Sequence, residues 1–264
     1  MVSLCRLHSI DFLILAEAAI HDDELVSALN DGYSSDPQYH HLYTHTHYIK
    51  IYTTYLGSIE EIQLDSEQHP FGGRYTAFSL TFPLAKEVIL ICLHLPSKLY
   101  ADKHSQFGNA TYLAQQIKAL EEEAEHKKTL VIGDFNMDPF EEGMIAANAF
   151  HAIMDENIAK ADRGRTLPWS EKNECTYFYN PMWGLMGDTS KGPTGTYFKK
   201  MGGTIDYLWH TFDQVILRPE LLDFFSKKDV QILKKAGKTR LLNEKNLIDT
   251  KISDHLPIMI SLAL

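Results

Sequence analysis

Carboxylates stand where apolar runs begin or end. The run DFLILAE finishes on Glu17, TLVIG leads into Gly133-Asp134-Phe135-Asn136, Asp213 opens DQVIL, and Ser253-Asp254-His255 precedes the last apolar run, PIMISL. His94 lies near the end of VILICLHL. A carboxylate set after an apolar strand loses water, which is costly unless a metal or hydrogen bonds compensate the charge. Taken singly, each of these residues is an ordinary turn or cap residue. Taken together, they supply carboxylates for a hard cation, one amide and two histidines, all at strand edges. Mg2+ takes one or two protein carboxylates and leaves its other positions to water and substrate phosphate, so the inventory points to hydrolysis of a phosphate ester.

Such residues need a rigid frame, and strand-like runs recur along the chain. They are Asp11–Glu17, Tyr48–Leu56, Ile59–Leu64, Tyr75–Phe82, Val88–Leu95, Thr129–Ile132, Gln214–Leu217, Val230–Leu233 and Pro257–Leu262. Continuous apolar runs such as VILICLHL predict strands buried on both faces. Alternating ones such as YIKIYTTYL predict strands with one wet face. Three helices are expected, at Asp22–Asn30, Ala110–Lys128 and Glu141–Ala149. In the second, Leu113, Ile117, Leu120 and Ala124 recur at helical spacing above a charged face that includes Glu121 to Glu125. Strands interleaved with helices, without a Ser/Gly linker or an internal repeat, predict one layered α/β domain across residues 1–264. The stretch Tyr179–Gly203 is rich in Gly, Pro and Thr yet carries Met182, Trp183 and Met186, which favours a packed loop near a site.

The chain has 264 residues and a formal charge of −10, which argues against bulk positive charge as its hold on nucleic acid. Local contacts to a few phosphates remain open. Cys5, Cys92 and Cys175 form no CxxC pair, so neither a disulfide framework nor a cysteine zinc site is expected. No run approaches the length of a membrane span. A soluble, cytoplasmic protein without a membrane partner is the expectation.

The strings LILAE, LHLPS, GDFNMDP, FDQVILRPELL and SDHLPI occur in this order between Asp11 and Leu262. They resemble the endonuclease/exonuclease/phosphatase superfamily, whose members include nucleases, sphingomyelinases and inositol polyphosphate phosphatases. The resemblance implies a four-layer α/β sandwich of two packed, mostly antiparallel sheets flanked by helices. It implies Mg2+ as cofactor, with Mn2+ able to take its place, held by Glu17, Asp134 and Asp254. It also implies that Asp134 and Asn136 position water and phosphate, that His94 is directed at the phosphate, and that His255 contacts the phosphate and transfers a proton. An aspartate should fix the tautomer of His255, and Asp206 in TIDYL competes with Asp213 in FDQVIL; Asp213 is favoured. The activity implied is hydrolysis of phosphodiester bonds in nucleic acid. Two alternatives accompany it: action on a small phosphate ester such as an inositol phosphate, and a catalytically weakened binding relative.

One departure stands out. The family opens with a strand ending in an Asn near the metal, ahead of the LILAE strand, and here ten residues precede Asp11. Either the chain is truncated at that end or it is a weakened relative. Two further features have ordinary readings. His40, His41, His45 and His47 crowd one strand entry, which suits a wet polar segment better than a zinc site. Between 227 and 251 eight basic residues face three acidic ones, either a solvated face or a groove for a phosphate backbone.

Overall fold

The apolar runs Lys86–His94 and Thr129–Asp134 lie side by side and parallel at the centre of the largest sheet. The computed structural model describes residues 1–32, 38–62, 73–166, 174–189, 192–200 and 206–264. In chain order, helix α1 (Val2–His8) leads to strand β1 (Phe12–Ala16) and helix α2 (Asp22–Asn30). Strands β2 (His40–Leu42), β3 (Ile49–Thr53), β4 (Ser58–Ile62), β5 (Tyr75–Phe82) and β6 (Lys86–His94) follow. The long helix α3 (Lys103–Glu123), β7 (Thr129–Asp134), the short α4 (Glu142–Ile145), β8 (Ala152–Ile153) and α5 (Glu156–Asp162) come next. Short strands β9 (Gly164–Thr166), β10 (Glu174–Thr176), β11 (Phe178–Tyr179), β12 (Tyr197–Phe198) and β13 (Trp209–His210) lead to β14 (Asp213–Leu217). Strand β15 (Phe225–Ile232), the hairpin β16 (Lys235–Ala236) and β17 (Thr239–Arg240), and β18 (Ile258–Leu262) end the chain.

The largest sheet has the order β4-β5-β6-β7-β14-β11-β8 and is mixed, with parallel pairs at β6/β7 and β11/β8. Its two faces are both covered, which is why its central strands are apolar throughout. On one face Ile89, Ile91, Val131 and Ile216 pack against Ala110, Leu113 and Ile117 of α3. On the other, Leu90, Leu130 and Val215 meet Ile49 and Ile51 of β3, Val230 and Ile232 of β15, and Ile258 and Ile260 of β18. Outside this second layer, Cys5 of α1 and Leu25 and Leu29 of α2 cover Tyr52, Leu13 and Leu15. Helix, sheet, sheet, helix is therefore the layering, the α/β sandwich that the sequence predicts. The second sheet layer is divided: among the described residues β1-β3-β2 form one ladder and β15-β18 another, with β1 bonded to β3 and β18 to β15.

Strands fall within a few residues of their predicted bounds, while residues 63 and 64 of the predicted Ile59–Leu64 run lie outside the described residues. The helices need correction. Helix α3 begins at Lys103, well before Ala110, because the Asp102 side chain accepts a hydrogen bond from Ser105 N at 2.8 Å and caps it. Gly108, which resembles a stop signal, sits on the exposed face inside the helix. The helix stops at Glu123, and Glu125 adopts a positive φ of 57°. Helix α4 keeps only one turn of the predicted Glu141–Ala149. Helix α1 was not expected; it buries Cys5 against the outer helix layer.

Glu121 also overturns an expectation. The acidic run at 121–125 reads as helix surface, yet Glu121 is 3% exposed. Its carboxylate accepts from Arg218 Nε at 2.7 Å, Arg218 Nη2 at 3.0 Å and Thr129 Oγ1 at 2.7 Å. A partner 97 residues away in sequence gives no local signal.

His151, 5% exposed, provides a stability test. Burial, reinforced by Arg165, pushes its imidazole down to about 4, against the hydrogen bond with Cys175 O. An unfolded histidine binds its proton near pH 6.5. Between about pH 6.5 and pH 4 the unfolded chain therefore holds a proton that the folded chain refuses, so stability falls as pH drops through that window. The loss is at most about 3 kcal/mol, at 1.36 kcal/mol per pKa unit. His151 has φ 52°, a backbone that Asn tolerates. We expect His151→Asn to flatten this part of the pH dependence, measured by urea unfolding at pH 5 and pH 7. An unchanged pH slope would contradict the assignment.

Candidate active site

Register assembles the first half of the site. In the parallel β6/β7 pair His94 is level with Asp134, and in the antiparallel β7/β14 pair Asp134 is level with Asp213. Three chemistry-bearing residues thus form one row across three adjacent strands, which are spaced about 4.8 Å apart. The glycine of GDFN makes this row fit: Gly133 has φ 147°, and a Cβ there would fall 1.9 Å from Leu93 O on the neighbouring strand. Any side chain at 133 would push β6 from β7.

The turn after β7 fixes the carboxylate. Asn136 has φ 51°; its N–H donates to Asp134 Oδ1 at 2.8 Å, and its side-chain amide donates to Asp134 Oδ2 at 3.0 Å and to Leu95 O at 2.8 Å. Gln106 of α3 in turn donates to Asn136 O at 2.9 Å. In this arrangement both amide hydrogens are committed inside the protein, one to Asp134 and one to Leu95 O.

The second sheet layer brings the other half. Glu17 follows β1 with φ 52° and places Oε1 3.7 Å from His94 Nε2, the same separation as Asp134 Oδ2 from that nitrogen. Two carboxylates therefore flank one imidazole nitrogen, while His94 Nδ1 is buried and has no hydrogen-bond partner among the described residues. His255, just ahead of β18, sets Nδ1 2.8 Å from Asp213 Oδ2. Asp206 does not compete for it: its Oδ1 accepts from Leu208 N at 2.9 Å.

Electrostatics follow from this crowding. Burial, and then the charge of Asp213, raise the Asp134 carboxyl well above the ordinary carboxylate range, against the opposing charge of His255. Burial alone would strip His255 of its proton, but the charge and hydrogen bond of Asp213, with help from Asp134 and Asp254, hold it at about 9. His94 moves the other way: burial lowers it, and the nearby Glu17 opposes that shift.

The carboxylates expected to hold a metal are Glu17, Asp134 and Asp254. Among the described residues no three His, Cys, Asp or Glu side chains gather closely enough to hold an ion. Glu17 is 72% exposed, and Asp254 lies exposed at the rim, so neither is fixed by packing. Glu17 and Asp134 nonetheless fit a hard cation in kind: they are two carboxylates, one of them buried and negatively crowded, and Mg2+ takes one or two from the protein.

Sequence reasoning missed several residues here. Tyr197 pairs with His255 through an isolated backbone bridge and places its ring 4.6 Å from the imidazole. Thr196 Oγ1 accepts from Asp213 N at 3.1 Å. The described part of the Tyr179–Gly203 stretch thus does pack beside the site, and residues 190, 191 and 201–203 lie outside the description. Arg74 gives its carbonyl to His94 N and lies 4.1 Å over the Tyr48 ring, and its charge reaches the imidazole. The buried Asp138 accepts from Thr211 N at 2.8 Å and sits 2.7 Å from His210 Nδ1, tying the GDFN turn to β13. A lone Tyr, Arg or Asp in such strings carries no pattern that marks it in advance. The histidine-rich entry behaves as its ordinary reading has it: His45 pairs with Glu61 at 2.7 Å, and His41 packs against Tyr43 and Tyr52.

Among solved structures the chain is similar to truncated TDP2 from Caenorhabditis elegans, at 15% identity and a TM-score of 0.56, covering 98% of this chain and 88% of that one. It is similar to the 3′ phosphatase NExo from Neisseria bound to product DNA hairpin, at 15% identity and a TM-score of 0.53, covering 98% and 91%. It is similar to an endonuclease/exonuclease/phosphatase family protein from Bacteroides thetaiotaomicron, at 12% identity and a TM-score of 0.52, covering 97% and 85%. No family model and no curated protein matches the sequence.

Proposed function

Taking as premise that the chain has the endonuclease/exonuclease/phosphatase fold, we propose that it hydrolyses phosphodiester bonds in nucleic acid with the help of a divalent cation, Mg2+ or Mn2+. The observation that carries this reading is the Asp213–His255 pair set against the His94–Asp134–Asp213 row, with Glu17 closing the other side. The Neisseria neighbour's bound DNA supports nucleic acid as the substrate class. No helix among the described residues is long and apolar enough to cross a membrane.

Glu17 and Asp134 would hold the cation, with Asp254 adding negative charge at the rim. When bound, the cation supplies Lewis acidity at a non-bridging phosphate oxygen. The protein's own residues do the rest. Asp134 orients a water for in-line attack and accepts its proton. As the new P–O bond forms, the bond to the leaving oxygen breaks, and that oxygen takes a proton from His255 Nε2. Asp213 keeps His255 protonated and turned with Nδ1 inward, leaving Nε2 for the substrate. His94, held neutral by burial, directs its Nε2 into the gap between Glu17 and Asp134, where a phosphate oxygen would sit.

The test is cleavage of plasmid and single-stranded oligonucleotide in Mg2+, with and without EDTA. Cleavage that needs the cation, and that falls roughly 100-fold in Glu17→Gln, as for loss of one charge-stabilising group, is the expected result. Phosphate release from an inositol phosphate without nucleic-acid cleavage would replace the substrate class. A folded protein that turns over no phosphate ester in Mg2+ or Mn2+ would refute the enzymatic reading.

A further inference from the structure

A basic segment near the C-terminus lies outside the set of residues assigned to hydrolysis. A cavity of about 510 Å3 opens beside the β16–β17 hairpin, lined by Lys234, Lys235, Arg240 and Asn246, with Thr194 and Asp188 among its other walls. Three cations against one carboxylate give it the opposite sign to the protein's net charge of −10. Such a reversal concentrates anions locally even on an acidic protein.

Two details argue against an ordinary solvated face. Lys235 and Arg240 are direct register partners across the antiparallel hairpin, which turns at Gly237 with φ 62°. Like charges placed opposite one another destabilise a strand pair, and among the described residues neither forms an ion pair. Arg240 Nη2 donates to the neutral Asn246 Oδ1 at 3.3 Å. An anion between the two cations would remove the repulsion. The second detail is continuity with the hydrolytic site. Two residues beyond Thr194, Thr196 O accepts from Leu256 N, Thr196 Oγ1 accepts from Asp213 N, and Tyr197 bridges to His255. At no more than about 3.6 Å per residue, Thr194 lies within about 11 Å of Tyr197 along the chain. One wall of the cavity thus belongs to the same short segment as a residue that touches His255.

We propose that this cavity is a second phosphate subsite, which holds the backbone of a nucleic-acid strand a few nucleotides from the phosphate placed among His94, Asp134 and His255. The inference rests on the phosphodiesterase reading for the position of the cut, and on the cavity alone for the strand's path. Lys235 and Arg240 are both exposed, so replacing them leaves the core intact.

The test uses the full chain with Lys235→Gln, Arg240→Gln and the double variant. Binding of a fluorescent single-stranded DNA 12-mer is followed by anisotropy across a salt series, and turnover of bis(4-nitrophenyl) phosphate is measured in Mg2+. The double variant should bind the oligonucleotide about 10-fold more weakly at low salt, with a salt slope reduced by about one to two, while small-diester turnover stays at the wild-type level. Unchanged affinity and slope would overturn the subsite, as would an equal loss on the small diester. Binding of inositol hexakisphosphate through these residues with no oligonucleotide binding would also overturn it. If Lys235 and Arg240 carry oligonucleotide binding but neither substrate is turned over, the subsite stands and the hydrolytic reading fails.

Discussion

Asp213→Ala is expected to lower kcat by about 100- to 10,000-fold, the usual range for loss of positioned acid–base catalysis, while Asp206→Ala retains wild-type turnover. The difference follows from two hydrogen bonds. Asp213 Oδ2 sits 2.8 Å from His255 Nδ1, whereas Asp206 spends its Oδ1 on Leu208 N. Without the Asp213 carboxylate, His255 loses both the partner that selects its tautomer and the largest of the charges that overcome burial to hold it at about 9. The proton that the leaving oxygen needs would then be scarce at neutral pH. The basic limb of the kcat profile, near pH 9 in the wild type, should move down toward the ordinary histidine value of about 6.5. His255→Ala should lose a comparable factor, and the double variant little more, because residues that act as a unit are not additive. The backbone bond from Asp213 N to Thr196 Oγ1 does not depend on the carboxylate, so melting temperature serves as the control. Near-normal kcat in Asp213→Ala with a dead Asp206→Ala would reverse the assignment.

The second large effect is on stability. Arg218→Met should destabilise the fold by about 3–5 kcal/mol, the usual result of stripping one partner from a buried ion pair. Arg218 and Glu121 are 5% and 3% exposed, and their two-pronged contact at 2.7 and 3.0 Å joins α3 to the end of β14. Arg218 also donates to Thr176 O at 2.8 Å and covers the Phe178 ring with its guanidinium carbon 3.8 Å from the centroid. Removing it leaves the Glu121 carboxylate buried, with Thr129 Oγ1 as its remaining donor. Against a typical total of about 5–15 kcal/mol, that loss is large. A second variant separates charge burial from lost packing: adding Glu121→Leu to Arg218→Met should recover part of the deficit, since an apolar pair removes the stranded charge. Urea unfolding of the three proteins measures this. A double variant no more stable than Arg218→Met would assign the cost to packing.

Local sequence was enough where the physics is local. A short continuous apolar run rich in β-branched residues suits a sheet covered on both faces, and an alternating run suits a strand with unlike faces, so β5, β6 and β7 lie close to where these patterns put them. The acids at the strand ends followed from the cost of charge beside such runs, and the row His94, Asp134, Asp213 was readable as a set of ingredients. Its registration across three strands was not. Nor was the choice between Asp206 and Asp213, since both follow turn-like residues and the decision belongs to a histidine some 40 residues onward.

Tertiary contact decided everything that depends on a distant partner. Glu121 looks like its exposed neighbours until Arg218 reaches it, and only the folded chain brings Asn136 to Leu95 O. Tyr197 and Lys235 acquire meaning from what lies across from them, His255 in one case and Arg240 in the other. The order of residues determined which segments must be buried and which chemical groups the molecule owns, because burial and hydrogen-bonding capacity belong to each residue. Which groups meet, and with what charge, was settled by packing alone, because hydration, proton affinity and ion pairing are properties of neighbours in space.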